Sequence, residues 1–184
     1  MGQALRAALA AALLALQGCG DLPPHTLRLS PQMPPDVAPE VGFGGRVRLA
    51  GRTDAARAVF HVELLQGQRA VLRREVGALP LALPAVVTLT ADLAAAPATL
   101  TVELAPEGGP PGSFTAPLPP EFPARGGLSS PVLLLDERLA PDDAPVALFG
   151  VRRGGHITFT GPEGPFADDE IVLRVLLEPQ RGGG

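Results

Sequence analysis

From residue 41 onward, apolar side chains recur at every second position, in short runs broken by turn-forming residues. This pattern constrains the fold more than any other feature. A period of two puts successive side chains on opposite faces of an extended strand, whereas a helix needs a period near 3.6 to bury one face. Residues 45–50 set Val47 and Leu49 to one side and Arg46 and Arg48 to the other. Residues 58–65 turn Phe60, Val62 and Leu64 inward against His61 and Glu63 outward. Gln66-Gly67-Gln68 reads as a turn, and residues 70–76 as the returning arm of a hairpin. Residues 85–93 bury Val87, Leu89 and Ala91, and residues 99–105 bury Leu100, Val102 and Leu104. Further strands are predicted over 132–135, 146–151, 156–160 and 171–177. Arg152-Arg153-Gly154-Gly155 is a hairpin signal between two of them, with Gly where φ must turn positive. No helical stripe follows residue 18.

About nine short strands predict an all-β fold, a single β-sandwich that is immunoglobulin-like in the loose sense. The Cys-Trp-Cys core of antibody domains is excluded, because the chain has one Cys and no Trp. Residues 106–123 interrupt the strands with seven prolines. A loop of that length is usually functional or marks a boundary. One sandwich with a long crossing loop is preferred over two halves, since neither half alone would bury much core. Phe114, Leu118 and Phe122 are expected to pin that loop to the sheet.

Residues 1–18 have the three parts of a secretory signal: Arg6 as a thin positive start, an Ala/Leu run over 7–16, and Gln17-Gly18 before a cleavage point. The run is about half the length that spans a bilayer. Leu16-Gln17-Gly18-Cys19 resembles the lipobox of bacterial lipoprotein precursors. The resemblance covers only this N-terminal stretch. It implies a diacylglycerol on the Cys19 thiol, cleavage before Cys19, and attachment to a bacterial envelope membrane. Several acyl chains, at about 0.8 kcal/mol per buried methylene, hold a protein firmly where one chain holds it marginally. Cys19 is the single cysteine, so no internal disulfide can form, and lipidation accounts for a lone thiol in an oxidising compartment. Gly2 does not read as a myristoylation site, because Arg6 stands where Ser or Thr is needed.

Residues 19–40 hold Pro23, Pro24, Pro31, Pro34, Pro35 and Pro39. Proline lacks a donor and fixes φ, so this density predicts an extended tether, reaching on the order of 50 Å at about 3.1 Å per residue. Leu27, Leu29 and Val37 are apolar spots that could dock on the domain. Under the lipoprotein resemblance, Gly20 rather than Asp after Cys19 favours the outer membrane, facing the periplasm. The expected organisation is a signal peptide over 1–18, a lipid-anchored tether over 19–40, a sandwich over 41–179 and a disordered tail over 180–184.

Composition removes several function classes. All 15 basic residues are Arg, Trp and Tyr are absent, and net charge is −4. Without aromatic platforms, and with a negative balance on an exported chain, nucleic-acid binding is not expected. His25, His61 and His156 stand at no metal-ligand spacing from one another and read as surface residues. Asp168-Asp169-Glu170 lacks the alternating oxygens and the Gly of a calcium loop and reads as a solvated turn. Ser30, Ser113, Ser129 and Ser130 lack a Gly-x-Ser-x-Gly elbow, and no glycine loop cradles a phosphate. Outward pairs such as Thr88/Thr90 and Thr99/Thr101 are good strand residues without a repeat. No enzyme, metal or cofactor is expected.

Charge is uneven along the chain. Residues 41–76 hold seven Arg against three acids, and residues 77–184 hold six Arg against 13 acids. Arg46, Arg48, Arg73 and Arg74 are therefore candidates for a basic face that meets an anionic partner, such as lipid headgroups or an acidic protein, with pairing to the acidic half as the competing reading. The expected function is a non-enzymatic, lipid-anchored envelope module that joins an envelope protein partner. The alternative is a carrier of a small apolar ligand or lipid, whose pocket would be lined by Phe60, Phe149 and Phe159.

Overall fold

A computed structural model describes residues 25–37, 42–122, 129–141, 143–153 and 161–181. Eleven strands account for most of them: β1 (Thr26–Pro31), β2 (Gly42–Arg52), β3 (Ala55–Gln66), β4 (Arg69–Pro80), β5 (Ala85–Asp92), β6 (Thr99–Pro106), β7 (Gly112–Pro117), β8 (Ser129–Leu133), β9 (Arg138–Pro141), β10 (Val146–Arg153) and β11 (Ile171–Arg181). They form a six-stranded sheet in the order β7-β6-β5-β2-β1-β9 and a five-stranded sheet in the order β4-β3-β11-β10-β8. All described pairings are antiparallel. The two sheets pack face to face as a β-sandwich, and the described residues contain no helix.

The period-two pattern accounts for the core. Register aligns inward residues into rows across the six-stranded sheet: Leu29, Leu49 and Ala85 in one, Val47, Val87 and Leu104 in the next. Val62, Val175 and Phe149 form a row across the five-stranded sheet. All of these are buried in one contiguous apolar cluster. Each fully buried Leu, Val or Phe contributes about 1.5–3 kcal/mol. The sheets interlock where Phe149 crosses to β2. A Cβ on Gly45 would lie 2.5 Å from the Phe149 ring, so only glycine fits there.

The β3–β4 hairpin turns as expected, through the two residues Gly67 and Gln68, with Gly67 at φ +56°. Four expectations change. First, the sandwich begins inside the stretch read as a tether. Thr26–Pro31 lies between β2 and β9, and Leu27 and Leu29 are fully buried. The prolines that argued against a strand flank this segment, with Pro31 at its last position, while Leu27 and Leu29 alternate with Arg28 and Ser30. Second, the proline-rich stretch 106–123 contains β7, which pairs with β6 along the sheet edge. Proline is harmless there because an edge strand has a side without ladder partners. Phe114, Leu118 and Phe122 do pin it: Leu118 and Phe122 are buried, and the Phe114 ring meets Phe60 edge-on at 5.8 Å. Third, Arg152 and Arg153 belong to β10, paired with β11 and β8, and are not turn residues. Fourth, β11 runs to Arg181, two residues past the expected boundary. The strand expected over 156–160 and the glycines at 154–155 lie outside the described residues, as do Cys19 and the signal.

Because β1 is a core strand, Leu29→Ala is expected to lower stability by about 2–5 kcal/mol in denaturant unfolding. Deleting residues 1–24 should leave cooperative unfolding intact, and deleting through Pro31 should abolish it. A mere tether would leave all three readings unchanged.

Candidate functional site

The four arginines proposed as a basic face are placed on two different sheets. Arg46 and Arg48 point outward from β2 in the six-stranded sheet. Arg46 Nε donates to Thr88 Oγ1 at 3.3 Å, and Arg48 Nη2 pairs with Glu107 Oε1 at 2.7 Å. Arg73 and Arg74 lie on β4 in the five-stranded sheet, which is not a neighbour of β2. Arg73 stands opposite Glu63 and Arg74 opposite Val62, so the two arginines point to opposite faces of β4. Arg73 Nη2 donates to Glu178 Oε2 at 2.9 Å. The single basic face is thus not assembled. Arg48 and Arg73 each pair with a later acid, as the competing reading has it, and Arg46 is held by a threonine.

Among the described residues, two buried ion pairs lie on the outer face of the five-stranded sheet. Cross-strand register sets Arg73, Glu63 and Arg174 side by side, a row of alternating sign over β4, β3 and β11. Glu63 accepts from Arg174 and, although it points outward as expected, it is buried. His61 Nε2 lies 3.1 Å from Glu178 Oε2, the same oxygen that Arg73 holds, and its side chain is only 14% exposed. It is half-buried beside the Arg73–Glu178 ion pair rather than a surface residue. The next row is Leu65, Val172, Arg152 and Ser130.

Residues 161–170 fold over this second row. The Gly67 N–H donates to the Glu170 carbonyl at 2.9 Å, and Gln68 Nε2 donates to the Phe166 carbonyl. Arg138 Nη1 holds Glu163 Oε1 at 2.9 Å. Phe166 is buried with Leu65, Val132 and Val172 in a second, small apolar cluster. Beside it Arg152 Nη1 meets Glu170 Oε1 at 3.3 Å, with side chains 4% and 1% exposed. Glu170 Oε2 accepts the Ala167 N–H at 2.7 Å, and Arg152 Nε donates to Ser130 Oγ at 3.3 Å. The acidic triplet is therefore split. Asp168 and Asp169 are solvated as expected, and Glu170 turns inward to a buried guanidinium. Arg153 points toward the other side of β10, over the Phe122 ring at 5.9 Å. Burial lowers its pKa from the ordinary guanidinium value, since the charged form loses water.

Among the described residues, three clefts open at the rim. At the end where β1 starts, His25, Arg52, Thr53, Asp54, Leu81 and Leu83 line one of about 560 Å³. His25 has φ 64° and its Nδ1 is 3.7 Å from Asp54 Oδ2. A second, of about 510 Å³, adjoins it at Ala82 and is lined mainly by Pro80, Leu104, Pro106, Pro110 and Pro111. A third, of about 470 Å³, lies between residues 134–138 and 161–164. None of the three is lined by Phe60 or Phe149, which are fully buried in the core, and Phe159 and His156 lie outside the described residues. Among the described residues, no group of three or more His, Cys, Asp or Glu is placed to hold a metal ion. Ser30 donates to Glu137 Oε2 at 3.0 Å and Ser130 accepts from Arg152, so both serve ion pairs of the scaffold.

Comparison with protein-family models, with curated proteins and with solved structures finds no significant match to this chain.

Removing one member of a buried pair strands the other charge, at a cost of about 3–5 kcal/mol. Glu170→Ala is expected to destabilise by that amount in urea unfolding, and a double change of Arg152→Met with Glu170→Leu to recover most of it. Arg46→Ser and Arg48→Ser, which remove exposed contacts, should each cost less than about 1 kcal/mol.

Proposed function

We propose that this chain is a lipid-anchored bacterial envelope protein that presents its β-sandwich as a non-enzymatic interaction or assembly-accessory module. The observation that carries the proposal is Leu16-Gln17-Gly18-Cys19 at the end of a short apolar run, with Cys19 the only cysteine in the chain. Gly20 after Cys19 favours the outer membrane, facing the periplasm. The architecture behind the motif supports an adaptor. The core between the sheets is filled by Phe60, Phe149 and ranks of Leu and Val. Arg152 pairs with Glu170 and Arg174 with Glu63, and Ser30 and Ser130 bond to members of ion pairs. These are the features of a rigid body that offers its outside to a partner. The carrier alternative needs an apolar pocket between the sheets, in space that Phe60 and Phe149 occupy.

The test is mass spectrometry of the protein extracted from membranes, after in-cell cross-linking. The mature chain is expected to begin at Cys19 with the added mass of diacylglycerol, and Cys19→Ser to leave an unacylated chain. An envelope protein should co-purify near stoichiometric amount. A mature chain that begins past Cys19 without acyl mass overturns the anchor. A chain that carries a bound lipid or metabolite and no protein replaces the adaptor with the carrier.

A further inference from the structure

The order that begins at Thr26 has a consequence for how the sandwich meets a membrane. Thr26 is paired on both sides, to Arg52 on β2 and Pro141 on β9, so the chain is fixed to the domain from that residue on. Seven peptide units separate Cys19 from Thr26. Fully extended, they span at most about 25 Å, whatever their conformation. The long strands β3 and β4, with 12 residues each, make the sandwich about 40 Å long. If Cys19 carries the lipid, the domain cannot stand with its far end toward the bilayer, because Thr26 would then be out of reach. The end from which β1 starts is therefore the near end.

Strand register identifies what else lies there: the β2–β3 turn at Thr53 and Asp54, residues 81–84 between β4 and β5, the β6–β7 hairpin tip over 107–111, the end of β9 with Asp143 beyond it, and the end of β11 at Arg181. The outer sheet faces carry ladders of paired charges. This end carries two clefts, and one of them, lined by His25, Arg52 and Asp54 among others, is charged. The other is the mainly apolar cleft of Pro80, Ala82, Leu104, Pro106, Pro110 and Pro111, with Glu107 as its one charged lining residue. Glu107 is itself held by Arg48 at 2.7 Å. A hairpin tip of Pro and Gly whose one acid is already paired can enter the headgroup region at low desolvation cost, whereas a sheet face studded with ion pairs cannot.

We infer that the near end of the sandwich rests on the lipid headgroup surface, with the 107–111 hairpin as its contact, leaving the far end and the sheet faces for protein. The inference rests on the lipid anchor proposed above. The full chain offers a direct test, since an acylated Cys19 has no free thiol and any introduced cysteine is then the single labelling site. Pro110→Cys places a fluorophore on the hairpin, Ala94→Cys on the far end, and Thr101→Cys on the outer face of the six-stranded sheet, all at exposed positions. Each lipidated variant is reconstituted in phosphatidylethanolamine/phosphatidylglycerol vesicles that contain headgroup-spin-labelled lipid. The Pro110 label is expected to be quenched several-fold more than the other two. Equal quenching at Pro110 and Thr101 would mean that the sandwich lies on its face. No quenching at any site would mean that it stands clear. Either result, with acyl mass present on Cys19, overturns the inference and leaves the anchor intact. Absence of acyl mass overturns the anchor, and the inference falls with it.

Discussion

A strand that alternates apolar and polar residues has one face that water cannot satisfy, and the cover for that face decides the architecture. In this chain the cover is a second sheet of the same kind. Phe149 reaches from the five-stranded sheet into the space left by Gly45 on β2, while Leu29, Leu49 and Ala85 line up beneath neighbouring residues of the opposite layer. Everything else in the molecule is placed by this contact. The ends of the sandwich, its edges and its two outer faces are defined only once the inner faces are joined.

The two outer faces are then treated differently. The six-stranded sheet shows water a surface of Arg, Thr and Glu, with exposed pairs that contribute little each. The five-stranded sheet is partly covered a second time, by residues 161–170. That cover is held by Phe166 in a small apolar cluster and by Glu170 against Arg152. A buried pair adds little net stability relative to apolar residues of the same size, but a misplaced segment would leave both charges unpaired in a dry site. This gives a physical reason for an Arg–Glu contact where Leu and Met would pack as well.

Much of the fold is legible in the sequence. The inward residues of β2, β3, β5 and β6 follow from alternation alone, and so do the β3–β4 turn and the pinning role of Phe114, Leu118 and Phe122. What alternation cannot supply is register, and the errors trace to that. Arg73 sits beside Glu178 and Arg174 beside Glu63 because β3, β4 and β11 are neighbours. No local signal states that β11, more than a hundred residues away along the chain, pairs with β3. For the same reason Arg46 and Arg73 look like parts of one patch when read along the chain, although their strands belong to different sheets. Glu170 looks like the third member of a solvated acidic run, and only the partner on β10 explains its burial. The signal that could have been noticed is the pair of cations, Arg152 and Arg153, at the end of an otherwise apolar strand.

The error at β1 has a different origin and a larger effect. Proline density is a property of residues 19–40 taken together, whereas the physical restriction acts position by position. A proline removes one donor and fixes one φ; it does not prevent its neighbours from pairing. Thr26 to Ser30 contain no proline, and their alternation of Leu and polar residues is as regular as that of any later strand. Moving these residues from tether to core shortens the free chain after Cys19 from an expected reach on the order of 50 Å to at most about 25 Å. A long tether would let the domain search for a partner well away from the bilayer in any orientation. If Cys19 carries the proposed lipid, a short one ties orientation to the fold, because the strand that follows it is locked between two others. Any partner of an anchored chain then meets a body with a defined near end and far end.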